Sequence, residues 1–192
     1  MADAFREQAH IFIQHIGPET DLDKATTHAA GRLGQLMASA TTLALAIEIY
    51  LKALRILVGM NPSSDHNLWA LYKKLPQQLK DLIEASYNKL NSEERTDADG
   101  VLLALYGGPM TEEVLQQIKA TPAPNGGTDL KSVLLNAGDA FVTWRYLYEK
   151  GQPGKIQLFE YGYKRLDFIA SALREYTMNG IAQPRPDALK GG

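Results

Sequence analysis

ATTHAAGRLGQLMASATTLALAIEIYLKALRILVGM, residues 25–60, is the stretch whose reading decides the fold. Leu33, Met37, Ala40, Ala44, Ile47, Leu51, Leu54 and Val58 recur in it at steps of three or four. That spacing lines one side of an α-helix and gives a helical bundle its core face. Glu48, Lys52 and Arg55 are set into the apolar second half. Glu48 and Lys52 are four apart, so their side chains can meet, and Arg55 continues the same line by one turn. Gly31 and Gly34 each cost about 1 kcal/mol against alanine inside a helix. Among Ala29, Ala30, Ala38 and Ala40 they read as positions that admit a second helix at close range.

Working outward, Phe5, Ala9, Phe12 and Ile16 give the segment before it a helical face, which Gly17-Pro18 ends. Gly59-Met-Asn-Pro62 stops the long helix, and Ser63-Ser-Asp-His66 supplies capping side chains for the next. Leu68, Leu71, Tyr72 and Leu75 describe two further turns. Pro76 then suits the first turn of a helix carrying Leu79, Leu82, Ile83, Tyr87 and Leu90. Residues 91–128 are turn-rich and read as an insertion between core helices. Within it Val101–Tyr106 is too short to assign to a strand or a helical turn, and Thr111 with Glu112 and Glu113 opens a brief helix through Lys119.

Asp129–Lys150 reads as a core helix with Leu130, Val133, Leu134, Ala137, Phe141, Trp144 and Tyr148 on one face. Ile156–Met178 reads as the last, with Phe159, Tyr163, Leu166, Ile169, Ala170, Leu173 and Tyr176 inward and Asn179-Gly180 as its stop. Residues 181–192 read as a mobile tail. The expectation is an all-α fold: a single domain over 1–192, an antiparallel bundle of four to five core helices with a loop-rich insertion. The small residues of the long helix and the bulky aromatics of 129–150 predict that those two helices pack together.

A net charge of −2 in 192 residues gives no global field for polyanions, so a nucleic-acid site must be a local patch. The absence of cysteine excludes disulfides and thiolate metal sites and fits a reducing cytoplasm. The most apolar window, residues 41–60, carries Glu48, Lys52 and Arg55, which argues against a membrane span. Phosphate-loop, zinc-protease and nucleophile-elbow motifs are missing. His10 and His15 are five apart and accompany no acidic cluster in sequence. No metal and no cofactor is expected.

Two constellations remain. Glu48, Lys52 and Arg55 form either a solvated ion pair or a polar seam facing another helix. Trp144-Arg145-Tyr146-Leu147-Tyr148-Glu149 places Arg145 and Glu149 four apart. Its arginine either pairs within the structure or offers a bidentate face to a carboxylate or phosphate.

Glu48-Ile-Tyr-Leu-Lys52-Ala-Leu, followed by a Gly/Asn/Pro loop and then Asp65-His66-Asn-Leu68-x-x-Leu71-Tyr72-x-x-Leu75, resembles the central pattern of HEPN-domain proteins. Phe141-Val-x-Trp144-Arg145-Tyr146-x-Tyr148-Glu149 is similar to the later helix of one HEPN-like subgroup. The resemblance covers about residues 30–90 and 130–178. It implies an all-α bundle, often a homodimer, found in toxin–antitoxin, phage-defence and nucleotide-associated systems. Family ribonucleases carry an arginine, four to six residues and then a histidine. Here Arg6 to His10 leaves three intervening residues and Arg6 to His15 leaves eight, so that activity does not carry over.

The expected function is therefore binding of an antitoxin-like protein or an RNA or nucleotide partner in the cytoplasm, with Glu48, Lys52, His66, Arg145 and Glu149 as the binding residues and no catalytic residue. The competing expectation is a ribonuclease or nucleotide-acting enzyme with an altered site around Arg145 and Glu149. A third is a structural or regulatory dimer.

Overall fold

The computed structural model describes residues 1–14, 22–93, 101–106, 109, 111–121, 127–138 and 155–182. The side chains of 22–33, 101–106, 157–161 and 181–182 lie outside the description. In chain order the described elements are α1 (Ala2–Gln14), α2 (Leu22–Leu57), α3 (Leu68–Lys73), α4 (Gln77–Glu93), β1 (Val101–Tyr106), α5 (Glu112–Ala120), α6 (Leu130–Asn136), β2 (Ile156–Tyr161) and α7 (Tyr163–Ala182). The fold is an all-α bundle with one two-stranded antiparallel ribbon attached.

Helix α2 is its axis: α1, α3 and α7 all pack on it, while α4 packs on α7. Ala40, Ala44, Ile47, Leu51 and Leu54 are buried, as the periodicity requires, but so are Leu36, Leu43, Ala46 and Tyr50 from the flanking face. A helix enclosed from several sides buries more than one stripe. Val58, at the far end of the expected stripe, is 36% exposed. At Ala9 and Ser39, both fully buried, α1 and α2 approach closely enough for the Ser39 hydroxyl to donate to the Ala9 carbonyl at 3.1 Å. Gly34 has no such role, since a Cβ there would meet nothing within 4 Å. Gly31 falls among the residues whose side-chain surroundings are not described.

The end of α2 follows from Gly59, whose φ of +78° is open to glycine and strained for other residues. Met60 N–H donates back to the Arg55 carbonyl at 2.8 Å and Gly59 N–H to the Ile56 carbonyl at 3.0 Å. This is the double bond of a Schellman cap. Asn67 caps α3 by accepting from Ala70 N–H at 2.9 Å. Thr111 caps α5, as its position before Glu112 and Glu113 predicts.

Three expected boundaries move. Residues 156–161 are strand β2, not the first turns of the last helix; α7 starts at Tyr163 and runs past Asn179-Gly180 to Ala182. Strand β2 pairs with β1 from Val101↔Tyr161 to Tyr106↔Ile156, which settles 101–106 as a strand. Paired backbone groups outweigh the weak helical pattern of either short segment. The helix expected over Asp129–Lys150 is described as α6 only to Asn136, where a turn follows at Ala137 and Gly138. Gly138 is hemmed in: a Cβ there would lie 2.9 Å from the Asn67 amide nitrogen, and its carbonyl accepts from Leu68 N–H at 3.3 Å. The described part of this helix packs mainly on α3, α4 and α7. Trp144 and the rest of that expected contact lie outside the described residues.

Candidate functional site

Helix α2 and the loop after it bring together the residues singled out between 48 and 66. Glu48 is buried, 6% exposed, although its side chain is ionisable. Its Oε1 accepts from Lys52 Nζ at 2.7 Å and from His66 Nδ1 at 2.9 Å. The Lys52 side chain is 26% exposed and that of His66 70%. Glu48 and Lys52 thus form a polar seam rather than a solvated pair, and the seam ties the loop back to the helix.

Arg55, 8% exposed, closes the other end of this loop. Its Nη2 donates to the Asn61 carbonyl at 3.3 Å, whereas Nε and Nη1 are buried without a hydrogen-bond partner among the described residues. The loop between is held by side-chain turns. Asp65 N–H donates to Ser63 Oγ at 3.2 Å, and Asn67 N–H donates to Asp65 Oδ1 at 3.1 Å. That backbone bond, opposed by slight burial and aided by Lys74 at 3.3 Å, holds the Asp65 carboxyl below its usual range. Arg145 and Glu149 lie outside the described residues.

A second polar cluster joins α1 to α7. Arg6 grips Asp167 with both arms of its fork, Nε to Oδ1 at 2.6 Å and Nη2 to Oδ2 at 2.9 Å. Its Nη2 also donates to Ser171 Oγ at 2.6 Å. His10 Nε2 meets Asp167 Oδ1 at 2.8 Å, and its ring stands edge-on to Tyr163 with centroids 5.7 Å apart. Burial alone would raise the Asp167 carboxyl, but the Arg6 and His10 bonds outweigh it and hold the group below the ordinary value. Nearby, the Tyr50 hydroxyl donates to Asp3, which also accepts from Arg174 Nε at 2.6 Å. Burial first, and then the bond to Asp3, pushes the Tyr50 phenol well above its usual range. His10 therefore does have an acidic partner. The signal available in sequence was the four-residue step from Arg6 to His10, which puts both on one helical face.

Among the described residues no group of three or more His, Asp and Glu is placed to hold a metal ion, and no helix is long and apolar enough to cross a membrane. Comparison with protein-family models, with curated proteins and with solved structures gave no match.

Proposed function

We propose that this chain is a non-catalytic HEPN-like bundle that binds a protein or RNA partner as a cytoplasmic homodimer, in a bacterial toxin–antitoxin, defence or stress setting. The observation that carries the reading is the meeting of Glu48, Lys52 and His66 across a helix and the following loop. These are the residues on which the resemblance rests. Binding is favoured over cleavage because the one buried carboxylate of this cluster already accepts from both neighbours. A base that removes a 2′-OH proton must be free to reach it. Purified protein is expected to leave single-stranded RNA intact, with or without divalent metal.

The α1–α7 cluster supports one competing reading. A carboxylate oriented on a histidine, beside an arginine, is an arrangement used in acid–base work. The cleavage assay therefore includes His10→Ala, Arg145→Ala and Glu149→Gln, each checked for folding by circular dichroism. RNA cleavage by wild type that disappears in any folded variant would replace the binding module with an altered-site enzyme.

A further inference from the structure

We infer that the end of α2 is an oxyanion site in which Arg55, under the loop of residues 59–66, takes a phosphoryl group. The inference rests on the binding reading above and names its chemistry. Arg55 is more than nine-tenths buried, yet Nε and Nη1 donate to nothing among the described residues. Its third nitrogen has only the Asn61 carbonyl at 3.3 Å, a long bond for a guanidinium. A buried cation left in this state is strongly disfavoured unless an acceptor completes it.

Charge selects the acceptor. Glu48 is engaged with Lys52 and His66, and Asp65 with the Asn67 N–H and Lys74, so only the partial negative charge at the end of α2 offsets Arg55 and the missing partner is an anion. Donor number selects its class. Lys52 uses one ammonium hydrogen on Glu48, His66 binds Glu48 through Nδ1 alone, and the Ser64 side chain belongs to an exposed residue on the same loop. A phosphoryl group, with three or four acceptor oxygens, takes the two idle Arg55 donors and keeps more acceptors for a further donor than a carboxylate does. The cover is thin: Gly59, Asn61, Pro62 and Ser64 are all exposed. Access exchanges the Asn61 carbonyl for a ligand oxygen.

The phosphoryl group can belong to a free nucleotide or to an RNA backbone, and the test separates them. Inorganic phosphate, AMP and single-stranded RNA are each titrated into wild type and Arg55→Met, which keeps the apolar stem without the donors. The expected result is a saturable phosphate shift of the Arg55 Nε–H NMR signal. A phosphate-dependent rise in Tm should also exceed that of Arg55→Met at matched ionic strength. In chloride alone, Arg55→Met should melt at or above wild type, because an unpaired buried charge has been removed. If RNA is the source, its binding weakens about tenfold in Arg55→Met; if only phosphate and AMP bind, the source is a nucleotide and the macromolecular reading falls. No Nε–H shift, with RNA held equally by both proteins, overturns the oxyanion site and leaves the binding module standing. The NMR arm needs only wild-type protein, so failure of Arg55→Met to fold does not remove the test.

Discussion

At the scale of single residues, Glu48 shows how a position that reads two ways in sequence becomes one thing in the fold. Four-residue spacing to Lys52 permits a solvated pair, and only packing of the following loop makes the carboxylate a buried acceptor for His66 as well. Glu48→Gln is expected to destabilise the protein by about 1–3 kcal/mol, because hydrogen bonds to a buried charged group are lost. His66→Ala should cost no more than about 1 kcal/mol, its ring being largely in solvent. Urea unfolding checks both, and equal effects would show that the carboxylate draws its stability from elsewhere. Asp167 sets a pH dependence. Its folded pKa lies below the ordinary 3.8. Its contribution is therefore complete above that value and is lost as pH falls through the depressed folded pKa. As pH falls through the ordinary carboxylate range and below it, Asp167→Asn should lose less stability than wild type. Parallel losses in the two proteins would remove Asp167 from the acid response.

At the scale of elements, what was legible is what repeats locally. The three-four step of α2 from Ala40 to Leu54, the apolar face of α4 at Ile83 and Tyr87 (though not Leu82, which is exposed) and that of α7 at Leu166, Ile169 and Leu173 sit in the core. The ribbon was not legible, because Val101–Tyr106 and Ile156–Tyr161 are strands only by virtue of each other, across a long interval of chain. The Arg6–Asp167 contact was hidden for the same reason: 161 positions separate its partners. The two kinds of glycine in and after α2 were partly legible. Gly59 was readable as a stop, whereas Gly34 looked like a contact position and faces open space. Gly34→Ala should therefore stabilise the protein by up to about 1 kcal/mol through helix propensity. Gly59→Ala should destabilise it by about 1 kcal/mol or more, since the left-handed conformation is retained at a penalty. Thermal unfolding of the pair reads the signs, and a Gly34→Ala protein that melts below wild type would show that its open surroundings mislead.

At the scale of the whole molecule, the candidate site lies at the C-terminal end of the central helix, among side chains that do not all face inward. Ile56 and Leu57 are 57% and 37% exposed there, and Leu57 lies against α7 at Gly180, near the exposed Met178. The homodimer of the proposed function is expected to appear in light scattering at tens of micromolar as twice the 21.2 kDa chain mass. A single-chain mass at that concentration would reject it.

The pairing of α1 with α7 also bears on the order in which the molecule is made. Asp3 and Arg6 of α1 leave the ribosome long before their partners Arg174 and Asp167, which lie 171 and 161 positions further along the chain. Helix α2 emerges ahead of α7 and stays without it while the residues between them are made, its apolar surface only partly covered by α1. Contacts so distant along the chain close slowly, and an uncovered apolar helix is open to wrong partners meanwhile. The nascent chain is thus most vulnerable to aggregation before α7 appears, and a chaperone holding α2 would act in that interval.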